Sequence, residues 1–128
     1  MTDLKPPVGS DLGTPAVSVF VLTKRADFVR ASYARRQGTP GIHLQGRKRA
    51  EGEAEGIRVG YTCSKKVGNA VARNRAKRRL REVARIVLPE MGRDGWDYVL
   101  VGRKDLTATL SFDTLVADLR RAMNKVHG

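Results

Sequence analysis

Apolar residues along this 128-residue chain change their spacing several times, and each change predicts an element. Ala72, Ala76, Leu80, Val83 and Val87 recur at intervals of three and four. At about 100° per residue they share an arc of about 80°, the core-facing stripe of an amphipathic helix. Asn69 is its candidate N-cap, and Pro89 is expected beyond its end. In "IRVGYTCSK", Ile57, Val59, Tyr61 and Cys63 alternate with Arg58, Gly60, Thr62 and Ser64, the pattern of a strand with one buried face. "IHLQGR" reads as another strand. The polar loop "KRAEGEAEG" joins the two, which predicts an antiparallel hairpin. "WDYVLVGR", Trp96 to Arg103, is almost continuously apolar, as a central strand requires, with Trp96 and Tyr98 as core anchors. Leu115, Leu119 and Met123 form a four-residue ladder beside Phe112, Val116 and Val126, predicting a closing helix capped by Ser111.

The N-terminal third is less regular. "VSVFVL", Val17 to Leu22, predicts an extended segment packed on the domain. "TKRADFVRASYARR" predicts a short helix opened by Thr23 or Lys24, with Ala26, Val29 and Tyr33 as its apolar face and "GTPG" at 38–41 as its break. Residues 1–16, rich in Pro, Gly, Asp and Thr, are expected to be a flexible tail before a single domain over 17–128. The predicted order is α-β-β-α-β-α, an α+β sandwich without internal repeats.

Charge then narrows the function. Twenty-five Lys and Arg against 13 Asp and Glu give a net charge of +12, so a polyanion is the expected partner. A membrane surface fits poorly, because the stripe of the basic helix is Ala, Leu and Val rather than large interfacial residues. No run approaches the roughly 18 apolar residues of a membrane span, and no secretory signal is visible. The single cysteine, Cys63, excludes an intramolecular disulfide. The expected location is cytoplasmic.

The basic helix is unusual for a merely solvated one. Between Lys65 and Arg85, nine basic residues meet one acid, Glu82. Like charges at i, i+4 repel, and cations near the N-terminal end oppose the helix dipole. A sequence that accepts both penalties recovers the energy on binding. Asn74, Arg78, Arg81 and Arg85 cluster opposite the stripe, Arg75 and Lys77 flank them, and Arg73 and Arg79 border the stripe with stems able to cover its edge. Guanidinium forks suit phosphate oxygens. Lys65, Lys66, Gly68 and Asn69 add a helix N-terminus, itself an anion site. Neutralising about five phosphates predicts a log–log salt slope of roughly −3.5 to −4.5.

"RVGYTCSKKVGNAVARNRAKRRLRE" closely resembles the arginine-rich motif region of the bacterial ribonuclease P protein subunit: Ser-Lys-Lys, Gly-Asn-Ala, Arg-Asn-Arg, then Lys-Arg and a final Arg. The likeness extends more weakly to "LTKRADFVRA", "DYVLVGR" and the C-terminal helix, about 105 of the 128 residues. The resemblance implies a left-handed β-α-β crossover, against the usual right-handed preference. It also implies a protein that partners a catalytic RNA in removing the 5′ leader of precursor tRNA, the RNA performing hydrolysis with Mg2+. Carried over by position, Arg73, Asn74, Arg75, Lys77, Arg78 and Arg81, with Lys65, Lys66, Gly68 and Asn69, would meet the RNA subunit; Arg85 extends that face. The leader would lie between the first helix and the sheet, near Phe28, with Lys24, Arg25, Tyr33, Arg58 and Tyr61 as neighbours. Ser32 and Gln45 stand where relatives carry aromatics, removing stacking surface worth about 1–3 kcal/mol per base.

No catalytic or metal-binding constellation, cofactor or obligate protein partner is expected on the chain itself. Glu51, Glu53 and Glu55 fall in a polar loop, and Asp94 and Asp97 flank Trp96; both groups are read as solvated, not as a metal cluster. His43 and His127 are far apart, and Cys63 reads as a core thiol. The rival readings are a ribosomal protein or RNA chaperone, a DNA-binding helix lacking a visible helix-turn-helix or zipper, and a protein enzyme lacking an acid cluster.

Overall fold

A computed structural model describes residues 18–53 and 55–128; the expected tail, residues 1–16, lies outside them. The elements are β1 (Val19–Val21), α1 (Arg25–Ser32), β2 (Arg35–Gly38), β3 (Ile42–Lys48), β4 (Ile57–Thr62), α2 (Ala70–Met91), β5 (Trp96–Gly102), α3 (Leu106–Thr109) and α4 (Phe112–His127). One five-stranded sheet runs in the order β1-β4-β5-β3-β2. The α+β class is as expected. The order is richer: the segment expected to be extended contributes β1, paired with β4, and β2 and α3 are added to the predicted elements.

The predicted hairpin does not form. β3 pairs antiparallel with β5, and β4 pairs parallel with β5, so the two strands flank the last one instead of each other. The reason lies in β5. Trp96, Tyr98 and Leu100 face one core, Val99 faces another, and all four are buried. A strand apolar on both faces belongs in the middle of a sheet. β4, α2 and β5 therefore form a β-α-β crossover between adjacent parallel strands.

The principal core lies between the sheet and the pair α2 and α4. Ile42, Leu44, Ile57, Val59 and Tyr98 meet Leu80, Val83 and Val87 of α2 and Leu115, Leu119 and Met123 of α4. The stripe of α2 is as predicted, widened by Ala84 and Leu88, with Ala72 only half-buried. Pro89, expected past the helix, lies inside its last turn. It forfeits one backbone bond, but buried Val87 and Leu88 hold the turn and Gly92 N–H closes on the Leu88 carbonyl (2.8 Å).

α1 covers the other sheet face over a small second core of Leu22, Ala31 and Val99, with Phe28 and Val101. Its predicted apolar face is wrong. Ala26, Val29 and Tyr33 are exposed, Tyr33 by 87%, while Asp27 and Ala31 are buried. The floor beneath α1 carries arginine, so an inward carboxylate serves better than an inward valine: Asp27 lies 3.5 Å from Arg58.

Candidate nucleic-acid interface

Backbone geometry sets the start of the basic helix. Ser64 caps a 3-10 turn at Lys65–Val67, its Oγ accepting from Lys66 N–H. Gly68 then takes φ 140°, a conformation L side chains rarely adopt, and a Cβ there would stand 2.9 Å from Ala72 Cβ. Asn69 Oδ1 accepts from Ala72 N–H (2.9 Å), capping α2 as expected. The Gly-Asn-Ala motif is thus a turn that aims the helix.

Beyond the turn, Asn74, Arg75, Arg78, Arg81 and Arg85 are exposed and Arg73 and Lys77 half-buried, while Lys65 and Lys66 are exposed beside the turn. Arg75, Arg78, Arg81 and Arg85 follow at i+3 and i+4 steps, a single row along a helix of 22 residues. Arg75, Lys77 and Arg78 have no acidic partner among the described residues; Glu82 pairs with Arg85 (3.2 Å). Arg73 donates to the Gly68 carbonyl (2.8 Å), and the Arg81 guanidinium lies over the Tyr61 ring at 5.4 Å. Arg79 differs: it donates to the carbonyls of Ala108 and Leu110, both at 2.6 Å, satisfying the end of α3. That structural duty had no signal in the sequence. Cys63 is half-buried against the core, and burial pushes its thiol pKa up despite Lys77 and Arg73 nearby, so it is not a poised nucleophile.

Across the sheet, α1 overhangs a groove of about 450 Å³ lined by Arg25, Phe28, Ser32, Gln45, Tyr61 and Thr62, among others. The Phe28 ring packs against Gly60, where a Cβ would stand 2.5 Å from it. A second groove, on the other side of α1, holds Lys24, Asp27, Arg30 and Arg58. The six leader candidates are therefore divided: Arg25, Phe28 and Tyr61 border one groove, Lys24 and Arg58 the other, and Tyr33 lines neither. Burial raises the Tyr61 pKa against the opposing pull of Arg81 and Arg85, so the phenol stays protonated.

The acids are committed elsewhere, and one reading is overturned. Asp97 is fully buried, not solvated, because its carboxylate meets Arg49 (2.6 Å), Arg58 (2.8 Å) and Arg47 (3.5 Å). Burial alone would raise its pKa, but the hydrogen bonds and charges of Arg58 and Arg49 outweigh that and hold it low. Arg49, placed by the sequence in a polar loop, has turned inward to make this pair, to the Trp96 carbonyl as well. Arg58 is spent on Asp97 and Asp27. Glu51, Glu53 and Glu55 are exposed, as read, with Glu53 tying the loop to Arg47 (3.4 Å); Asp94 accepts from Gly56 N–H (2.6 Å). Among the described residues no cluster of three His, Cys, Asp or Glu could hold a metal ion, and no helix is long and apolar enough to cross a membrane.

Comparison with known proteins gives a consistent result. The profile of the family described as Ribonuclease P matches residues 19–127. A ribonuclease P protein component of Ruegeria pomeroyi is 66% identical over 119 residues, covering 88% of this chain and 95% of the relative. That of Paramagnetospirillum magneticum is 47% identical over 109 residues, covering 82% and 80%. The solved ribonuclease P protein of Thermotoga maritima superposes with a TM-score of 0.68 at 25% identity, over 84% of this chain and 97% of that one.

Proposed function

Because the chain belongs to the ribonuclease P protein family, we propose that its two RNA-facing surfaces divide the work of 5′ tRNA processing. The exposed row of α2, with the Lys65–Asn69 turn, engages the RNA subunit. The groove beneath α1 receives the 5′ leader of precursor tRNA, with Phe28 offering its ring to a base and Arg25 its charge to the backbone. Hydrolysis belongs to the RNA subunit and its Mg2+, in the cytoplasm. Among the described residues, Asp97 is saturated by arginine and Asp94 and Glu53 are bonded to loop groups, which leaves these three carboxylates unsuited to holding those ions.

The single observation behind this reading is the row Arg75, Arg78, Arg81 and Arg85 on a helix whose opposite face is locked into the core. A group of guanidiniums with one acid among them, held on a rigid rod, matches a phosphate track. The test is cleavage of a leader-bearing precursor tRNA at low Mg2+ by the protein, by a bacterial ribonuclease P RNA, and by both. Strong cleavage only with both is expected. Cleavage by the purified protein alone would place the chemistry here and refute the proposal. Absence of stimulation by a folded, RNA-binding sample would favour an RNA chaperone.

A further inference from the structure

Edge strands of sheets are usually blunted by charge or proline, and β1 carries neither. Val19, Phe20 and Val21 are all exposed, the two valines by 42% and 62%. Val19 pairs with Ile57 and Val21 with Val59, so both valines share the sheet face that α2 covers. Ile57 and Val59 are buried beneath that helix, but the valines stay open to solvent. A groove of about 260 Å³ runs between β1 and α2. Val59, Ala84 and Leu88 are its buried floor, and Tyr61 and Pro89 also line it. Ala84 offers only a methyl where a larger side chain would fill the space. Arg81 and Arg85 line the same groove, with Arg81 over the Tyr61 ring at 5.4 Å. An exposed apolar patch rimmed by charge marks an interaction site.

We propose that this groove receives an unpaired base of the RNA subunit. The proposal rests on the reading of the α2 row as the surface for that subunit. The occupant must bring an apolar face to Val21 and Leu88 and negative charge to Arg81 and Arg85, and a nucleotide carries both. A second copy of the chain would bring the apolar face, but also set a net charge of +12 against itself. Arg75, Arg78, Arg81 and Arg85 form one row, so a phosphodiester chain held by the first two arrives at the groove with the last two. Paired bases are stacked inside a duplex, whereas those of loops and bulges can leave the stack and pack on a protein surface. The groove thus reads a local feature of RNA structure, where the arginine row reads charge alone. It lies on the sheet face opposite α1, with Tyr61 at the boundary between it and the groove assigned to the leader.

The experiment titrates the full chain with a bacterial ribonuclease P RNA. Val19→Thr combined with Val21→Thr keeps the charge and the β-branched shape, so the strand is retained. Hydroxyls set without partners against a base are expected to weaken binding about tenfold, with the log–log salt slope unchanged. Arg75→Ala, outside the groove, is expected to flatten that slope. In the unmutated protein, labelled methyl groups of Val19, Val21 and Leu88 should move upfield in NMR spectra as the RNA binds, because a base seated there holds them in its ring current. This readout needs no substitution and decides the matter if the double variant melts early. Poly-glutamate, an anion without bases, should leave the methyls unmoved. Unmoved methyls and undiminished binding, with the Arg75→Ala effect present, overturn the groove and leave the row standing. If Arg75→Ala also changes nothing, the row reading fails and takes the groove with it. Equal shifts with poly-glutamate would assign the groove to an acidic partner and overturn the proposal. A concentration-dependent rise in mass that the valine changes abolish would assign it to a second copy, with the same consequence.

Discussion

Replacing Asp97 with asparagine keeps the side-chain volume and removes the carboxylate on which three guanidinium groups converge. Arg49 suffers most, since its side chain is 1% exposed and has no route to water. Breaking a buried pair from one side costs about 3–5 kcal/mol. Arg58 retains Asp27 at 3.5 Å and Arg47 retains Glu53 at 3.4 Å, which places the expected loss near the lower end, about 3 kcal/mol. That is a large share of a small domain's stability. Urea unfolding at neutral pH, followed by the fluorescence of the sole tryptophan, Trp96, measures it directly. Arg49→Met added to Asp97→Asn should restore part of the loss, because the stranded charge is then gone. A cost below about 1 kcal/mol, or full additivity of the two changes, would refute the argument. Acid gives an independent check. The Asp97 pKa is lower folded than unfolded, so its contribution is present above about pH 4 and is lost as pH falls through the folded value. The asparagine variant lacks that loss.

Other substitutions test the helix faces, the C-terminal histidine and the turn before α3. Arg75→Ala should weaken binding to the RNA subunit and flatten its salt dependence with the melting temperature unchanged, whereas Leu80→Glu, at a fully buried position, should unfold the domain; melts showing the reverse would invert the helix faces. Tyr98 Oη accepts from Arg93 N–H and shares a hydrogen bond with His127 Nε2 (2.6 Å), and burial, with Arg93 and Arg35, lowers the His127 pKa to about 4. The neutral ring therefore stabilises the fold above pH 6.5, and this contribution, at most about 3 kcal/mol, is lost as pH falls toward 4; His127→Gln should flatten that slope in urea titrations across pH 5 to 6.5. Asp105 has φ 63° and ψ −46°, a γ-turn in which Leu106 N–H meets the Lys104 carbonyl, so Asp105→Gly should raise stability by about 1 kcal/mol in thermal melts.

Some of this architecture was legible because one physical signal governed it. The α2 stripe and the α4 ladder each pack against one continuous core, so period and burial coincide. α1 was misread because its inward face meets arginines as well as apolar residues, and hydrophobic periodicity cannot register an inward aspartate. β2 escaped because "RRQG" is an edge strand whose burial pattern shows no apolar alternation. The hairpin was expected because neighbours in sequence usually pair, but β5 needs a partner on each side. The basic row was visible as charge. The groove was not, since it depends on Phe28 meeting Gly60 across 32 positions. Helical spacing sets Arg79 at the edge of the stripe and Arg78 opposite it, but the carbonyls of Ala108 and Leu110 that Arg79 binds lie about thirty residues away and leave no local signal.

The place of β5 in the sheet also bears on how the chain acquires its shape. The strand that joins the β4 side to the β3 side is the last of the five to be made. Until residue 102 is synthesised, β4 with β1 and β3 with β2 are two separate ribbons with no bond between them. Most sheet pairing is therefore non-local, which slows folding. During translation the basic helix emerges before the strand that completes its floor, so its arginines reach solution on a segment still without a core. Completion of the sheet therefore waits on Trp96–Gly102, and closure of the principal core on α4 after it.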